Sequence, residues 1–562
     1  MLVLSAAAVT IGTLASLAAI ALVEVVGLLN TALLVDPRAR VQWEPFPWIV
    51  TAATLLVPSL GGLLVGLCHR HLSPLQRPLG PPDVIRAVQF RAPLPDMRSG
   101  LVSTMTAALS LGVGASVGQY GPMVYLGAMI GGLARRLQSG VPNLPSIAVS
   151  CGGAAAIATA FNAPIAGLVF AHEVVLRHYA TQAFAPVTVA SATGYVIANV
   201  VFDRPALFLV DFAGVGHSHE FLLFALLGIL VALTAVGFMR LLLRIGPWLE
   251  RRVARPELRP VLAGLALGVT ALALPDVMGI GTETLRFTTI EGAFAGGELV
   301  VLIIAKIALT ALCIGAGFSG GVFSPSLLIG SLGGVLFWTV ASTAAGAATS
   351  GVAVYAICGM MAFASAVIGA PLTCMLIVFE LTRNYDVTIA AMVAVVFSNL
   401  VSHRIFGRSL FDIQLAQRGI DFSRGRDWAH MAVLPVMGLV RTDLVTAEQG
   451  EAPSEVQARL LRKGMRQALV IDPDGRFLGV FSLGEPVGAA SVGEALKASA
   501  IVFTEATTVA EAMQRMRGFI GDAVPVVDRA SGRLLGGVTE ADVIAAWLDD
   551  TDRQREEENA SL

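Results

Sequence analysis

The sequence predicts an all-α polytopic membrane domain followed by a smaller cytoplasmic α/β domain, and three observations carry that reading. The 562 residues are 55% hydrophobic and only 14% charged, with a mean hydropathy of +0.74. Such a profile belongs to a chain that lies mostly in a bilayer. Apolar runs are interrupted at 118–122 and 315–334 by glycine-rich stretches that each lead through a proline into a new apolar run. Finally, from Asp427 onward 21 acidic residues face 13 basic ones, although the whole chain carries only −2. A basic membrane part therefore precedes an acidic soluble part.

Taken in order, Val3 to Val35 is nearly uncharged except for Glu24, long enough for one tilted span. It lacks a basic leader and a small-residue cleavage site, and reads as a retained span rather than a signal peptide. Trp48 to Leu67 is a second span, ending at Cys68-His69-Arg70-His71. Residues two apart on a helix face different ways, so His69 and His71 read as a solvated helix end and not a metal pair. Pro74 to Pro82 is proline-rich and leads into a short helix, Asp83 to Phe90, with Asp83 near its positive end. Ser99 to Val117 and Met123 to Leu133 flank the first break. Ser146 to Val175, Val187 to Val201, Phe221 to Leu243, Val261 to Leu274 and Leu299 to Ile314 are further membrane stretches. Several are too short to cross, which predicts tilted or re-entrant helices. Arg240, Arg244, Arg251, Arg252, Arg255 and Arg259 mark a cytoplasmic connector, and Arg404 with Arg408 places the tail on the same side.

No nucleophile–base or metal constellation converges in the membrane part, which argues against an enzyme. The five cysteines lie in apolar stretches without metal-ligand spacing, and core packing suffices to explain them. His217-Ser218-His219-Glu220 has metal-binding residue types but no partner group elsewhere.

Gly315 to Gly334 carries the functional expectation. Its glycines let the backbone leave the helix, and Pro325 can sit in a first helical turn without losing a bond. A helix N-terminus holds about half a positive charge, so it binds an anion without any basic side chain. Broken helices at membrane depth occur only where protein or a water-filled cavity covers the exposed backbone. An anion pathway follows.

The motif has a partner. Gln119-Tyr120-Gly121-Pro122 matches Val322-Phe323-Ser324-Pro325, and both prolines are followed by Gly127 or Gly330, then by Gly131-Gly132 or Gly333-Gly334. Asn162-Ala163-Pro164-Ile165 ending at Glu173 matches Gly369-Ala370-Pro371-Leu372 ending at Glu380, at the same proline-to-glutamate spacing. An offset near two hundred residues runs through both matches. Corresponding broken helices in two repeats point to a midplane binding site.

At these residues the chain resembles the CLC family of chloride channels and proton-coupled anion antiporters. GGVFSPSLLIGSLGG, FNAPIAGLVFAHE and GMMAFASAVIGAPLTCMLIVFELTRNY are each similar to family hallmarks, in the family's order, and the resemblance covers most of Met1 to Gly419. It implies an inverted repeat of tilted and broken helices, a homodimer with a separate pathway in each subunit, and backbone N–H groups of Val322 and Phe323 at the central anion. The departures matter as much. The family's first anion loop falls on Pro78-Leu79-Gly80-Pro81-Pro82, with Leu79 where a serine is usual. Its gating glutamate falls on Tyr120, between Gln119 and Gly121. Its inner tyrosine falls on Phe411, and the antiporters' internal proton-transfer glutamate on Pro205, with Asp203 nearby. A carboxylate can cycle a proton alongside an anion, whereas a phenol titrates near 10 and does not at neutral pH. Tyr120 can still donate one O–H or block the path. The expectation is passive flux of a small monovalent anion, chloride first, with Tyr120 as gate. The alternatives are an antiporter using Asp203 or Glu173, and a transport-weak sensor governed by its tail.

The tail alternates short β runs with amphipathic helices. Ala468 to Asp472, Gly475 and Phe477 to Phe481 read strand, turn, strand, and Ala523 to Asp528, Gly532 and Leu534 to Val538 repeat them. This resembles a CBS domain pair. The implied segments are membrane domain 1–420, linker 421–433, CBS copies 434–487 and 488–550, and a charged end 551–562. No cofactor is expected, except that the pair could hold an adenosine nucleotide at Thr539 and Asp542, or at Ser482 and Glu485. The expected setting is a multi-pass protein of the cell membrane with a cytoplasmic tail.

Overall fold

The computed structural model describes residues 2–136, 143–204, 214–345, 350–484, 489–499 and 501–559. The chain divides into a helical unit, Met1–Gln414, and a second unit, Leu415–Asn559. Among the described residues, eight helical segments are long and apolar enough to cross a bilayer. The first two, in Leu2–Ala32 and Pro47–Leu72, agree with the expected spans. Glu220–Arg252 runs for 33 residues, well past Leu243 and through most of the arginine-rich connector.

Two expectations need correction. Ser146 to Val175 is not one run. The helix Leu144–Phe161 stops at Asn162, whose φ of 54° is left-handed, and a new helix opens at Pro164. Asparagine tolerates that conformation, and proline cannot continue the preceding helix. Likewise Val352–Ile368 stops at Gly369, φ 72°, before Pro371–Thr382. His69 is not a solvated end either. The helix extends to Leu72, which turns His69 inward, 7% exposed, while His71 stays exposed.

The internal repeat is built as the same helix crossing twice. Tyr120–Gly132 crosses Leu144–Phe161 so closely that a Cβ on Gly127 would stand 2.3 Å from the Gly152 carbonyl oxygen. Phe323–Ala345 crosses Val352–Ile368 alike, where a Cβ on Gly330 would stand 2.5 Å from the Gly359 carbonyl oxygen. Small residues let backbones approach where lipid offers no hydrophobic drive between helices. The two helix breaks meet face to face: Gly118 and Gly321 exchange N–H···O bonds of 2.7 Å in both directions.

The second unit is a repeat of its own. In one copy Thr446–Glu448 runs parallel to Gln467–Ile471, which pairs antiparallel with Phe477–Ser482. In the other, Phe503–Thr504, Val524–Val527 and Leu534–Val538 repeat that order and those directions. Helices Pro453–Lys463 and Val509–Arg515 precede the central strands. The copies join backbone to backbone, Phe477 N–H to the Gly532 carbonyl at 3.1 Å and Leu534 N–H to the Gly475 carbonyl at 2.9 Å. Met431 and Val436 pack into the core of the second copy beside Phe503 and Val524, while Val445, Val456 and Phe481 form the core of the first.

Candidate functional site

Where the two breaks meet, a cavity of about 40 Å³ lies between the helices. That is room for about one water-sized occupant. Tyr120, Gly121, Val322, Phe323 and Phe411 line it, five of the eight pathway residues expected from sequence. Tyr120 and Phe323 open their helices, so their first N–H groups lack acceptors within the helix. Gly121 follows in the same first turn, and both helices aim their positive ends at one place.

Leu79, Gly80 and Gln119 stand elsewhere. Leu79 is buried, and its N–H donates to Ser103 Oγ at 2.9 Å. Gly80 donates its N–H to the Asp83 carboxylate at 3.1 Å, and Asp83 in turn holds Arg77 at 2.7 Å. The next residue, Pro81, reaches the cavity instead, because it begins the helix Pro81–Gln89. Gln119 lines a different space beyond Tyr120.

Tyr120 is a partition. On its far side lies a 270 Å³ cavity that Arg204 and Arg286 line together with Gln119, Asn162 and Tyr120 itself. Beyond Phe411 and Ile368 lies a 320 Å³ cavity lined by His172, Glu173, Arg177, Ser409 and Asp412. The three spaces share walls in sequence: Tyr120 divides the first two, Phe411 and Ile368 the last two. Each large cavity carries arginine, though Arg204 pairs with Glu24 and Arg177 with Asp412 at 2.6 Å.

The Tyr120 ring is fixed by two aromatic neighbours. Its centroid lies 4.2 Å from Phe161 and 5.5 Å from Phe323, and those two meet edge to face at 5.4 Å. Such pairs add about 0.5–1.5 kcal/mol each beyond burial. Phe161 was the residue least expected here. Its only sequence signal was its place before Asn162-Ala163-Pro164. Thr373 also lines the small cavity, but its hydroxyl donates to Glu173 at 2.6 Å.

Of the remaining candidates, Asp203 is exposed with φ 45°, and Pro205 lies outside the described residues. His217 and His219 lie 5.6 Å apart ring to ring. Glu220 is fully buried and accepts from the Ser350 hydroxyl at 2.9 Å and from Tyr355 at 2.7 Å. Among the described residues no group of three or more metal-ligating side chains converges. In the second unit Thr539 donates its hydroxyl to Asp542 at 2.6 Å, with Arg441 3.9 Å from the same carboxylate. Ser482 ends the strand Phe477–Ser482, and Glu485 lies outside the described residues.

Comparison with known proteins agrees with this architecture. Residues 61–403 match the model of the voltage gated chloride channel family, and residues 492–549 match the CBS domain. A ClcB-like chloride channel protein of Ralstonia nicotianae is 31% identical over 383 residues, 67% of this chain and 88% of that protein. A slow cyanobacterial Cl⁻/H⁺ antiporter shares the fold at a TM-score of 0.68 and 23% identity, over 74% of this chain and 97% of that one. A eukaryotic CLC transporter does so at 0.64 and 20%, over 96% and 97%.

Proposed function

The chain belongs to the voltage gated chloride channel family, and on that premise we propose that it passes a small monovalent anion, chloride first, without exchanging protons for it. Members of the family move anions across membranes and are not enzymes. One observation carries the passive reading: the residue dividing the 270 Å³ cavity from the small one is Tyr120, a phenol and not a carboxylate. An anion in the small cavity would be held by the N–H groups opening two helices, at Gly121, Val322 and Phe323. Buried backbone dipoles hold charge without a matching side-chain charge. Flux then requires Tyr120 to leave its contact with Phe161.

The antiporter reading needs another acid on the path. Glu173 lines the 320 Å³ cavity, but its carboxylate already accepts from Leu372 N–H, Thr373 N–H and the Thr373 hydroxyl. Asp203 is exposed. We further propose a homodimer with one pathway per subunit, set in the cell membrane. Its tail is cytoplasmic, and the CBS pair modulates flux, with Thr539 and Asp542 as the place for an adenosine nucleotide.

The test is the reversal potential of the reconstituted protein at a fixed chloride gradient with a pH gradient added. Passive flux predicts no shift, and a potential that follows pH overturns the passive reading. Flux of chloride, nitrate, fluoride and bicarbonate ranks the anions. No flux at all, with adenosine nucleotide still bound, would favour the sensor.

A further inference from the structure

We propose that His69 is a positioning residue for the break at 317–323, acting through Ser319 and thereby setting which anions the small cavity accepts. The functional half of this inference rests on the transport reading above. His69 sits in the last turn of Pro47–Leu72, buried, with Nε2 2.8 Å from Ser319 Oγ. Ser319 is itself buried and stands two residues before Gly321, whose backbone pairs with Gly118.

The direction of the hydrogen bonds follows from their far end. The Thr106 hydroxyl lies 2.9 Å and 3.0 Å from the carbonyls of Val102 and Ser103 in its own helix, Met97–Gly112. Carbonyls only accept, so Thr106 donates to them and its oxygen accepts a hydrogen bond from the Ser319 hydroxyl, 2.9 Å away. Ser319 Oγ is left to accept, and His69 Nε2–H donates to it. His69 Nδ1 is then a buried lone pair without a partner. The reverse direction would bury an unpaired N–H there, a rarer defect than an unused acceptor. Ser319 is held a second time, by its N–H donating to Ser110 Oγ at 3.0 Å, and Ser110 donates to the Thr106 carbonyl at 2.7 Å.

The break has one other firm anchor, Phe318, whose side chain is fully buried and whose N–H donates to the Cys313 carbonyl at 3.0 Å, and the glycines around it depend on the bonds of Ser319 and Gly321. Gly317 has φ 104°, and Gly320 and Gly321 have no side chains to pack. On one side the segment is fixed by the Gly118 pairing, and on the other by Phe318 and by the side-chain and backbone bonds of Ser319. The same helix also holds the loop before Pro81, through Leu79 N–H and Ser103 Oγ. One row of hydroxyls, Ser103, Thr106 and Ser110, thus sets two walls of the cavity from behind. His69 closes that row.

The full-length protein would be compared as wild type, His69→Ala, His69→Gln, Ser319→Ala and the double His69→Ala/Ser319→Ala. The Gln amide nitrogen reaches where His Nε2 stands, so His69→Gln keeps the donor. Backbone hydrogen exchange across 317–323 should quicken at least about threefold in His69→Ala and in Ser319→Ala, and stay near wild type in His69→Gln. The nitrate-to-chloride flux ratio should move about threefold in the same two variants, and the double variant no further than either. Unchanged exchange in both single variants overturns the proposal, and so does His69→Gln behaving like His69→Ala, which would mean packing. Ser319→Ala removes one oxygen only and carries the test should His69→Ala not fold. Wild type that passes no anion overturns the transport reading instead, and the exchange measurement alone then decides the role of His69.

Discussion

Glu173 and Glu380 stand in crossed caps, each carboxylate closing the N-terminus of the helix that the other repeat opens with proline. Glu173 accepts from Leu372 N–H at 2.9 Å and Thr373 N–H at 2.8 Å, at the start of Pro371–Thr382. Glu380 accepts from Ile165 N–H at 2.9 Å and Ala166 N–H at 2.8 Å, at the start of Pro164–Phe170. The equal spacing from proline to glutamate in the two repeats thus has a physical cause. Each repeat supplies the helix and the carboxylate that the other needs, and neither half is complete alone.

Removing one carboxylate leaves two backbone N–H groups, one exposed and one part-buried, and a helix dipole without an acceptor. Hydrogen bonds to a charged group contribute about 1.5–3 kcal/mol each. With one of the two bonds exposed, Glu380→Ala should destabilise the protein by about 3 kcal/mol, the low end of that range for two bonds, read as a lower thermal midpoint in detergent. Glu380→Gln, which keeps an acceptor, should lose less. A midpoint no lower than that of Glu291→Ala, at an exposed position, would refute the cap.

Much of this was legible in the sequence, because proline and glycine write backbone geometry directly. The breaks at Gly118 and Gly321, their facing arrangement and the two-fold repeat all follow from such residues. The candidate cavity was legible where the two helix starts line it, at Gly121, Val322 and Phe323. It was not legible where side chains decide. Leu79 aligned with an anion-facing position, yet the helix start at Pro81 carries the chain past it, and its N–H goes to Ser103. Phe161 opens the motif FNAPIAGLVFAHE, but an aromatic residue in an apolar helix is ordinary, and only the fold brings it onto Tyr120. The burial of His69 depended on one extra helical turn that polar residues at 69–71 concealed.

The glycine crossings allow a sharp stability test. A Cβ on Gly152 would lie 1.9 Å from the Gly127 carbonyl oxygen, and backbone cannot move aside as a side chain can. Overpacking costs about 1–3 kcal/mol and more against backbone. Gly152→Ala and Gly359→Ala should both reduce the yield of monodisperse protein. Gly351→Ala, with nothing within 4 Å of the added carbon, should not. Equal yields for all three would refute the crossing.

Acid should loosen the second unit at a defined place. Asp550, in the last helix Glu540–Asn559, meets His430 Nδ1 at 3.2 Å. Burial pushes its carboxyl up, but the hydrogen bond from His430 and the charges of His430 and Arg426 outweigh that and hold it below the usual range. A carboxyl depressed in the folded state adds stability that is present above its unfolded value, about 3.9, and lost as pH falls through the folded value. Protection against hydrogen exchange in 426–432, taken relative to the intrinsic rate at each pH, should therefore fall below about pH 4 in wild type. Asp550→Asn should lower that protection already at neutral pH and flatten the acid limb. An unchanged acid limb in the variant would dismiss the pair as its origin.

The Tyr120 ring is the test of the gate. It closes a 40 Å³ cavity from a 270 Å³ one and is clasped by Phe161 at 4.2 Å and Phe323 at 5.5 Å. Tyr120→Ala joins the two spaces and should raise chloride flux by about tenfold, equivalent to about 1.4 kcal/mol off the barrier. Phe161→Ala should raise it less, since it frees the ring without removing it. Tyr120→Glu places a carboxylate between two helix N-termini, where it competes with the anion while ionised and yields when protonated. Its flux should thus become pH-dependent, with proton movement opposite to chloride, where wild type shows none. Should Tyr120→Ala and wild type conduct alike, the ring lies off the path and the gate is elsewhere.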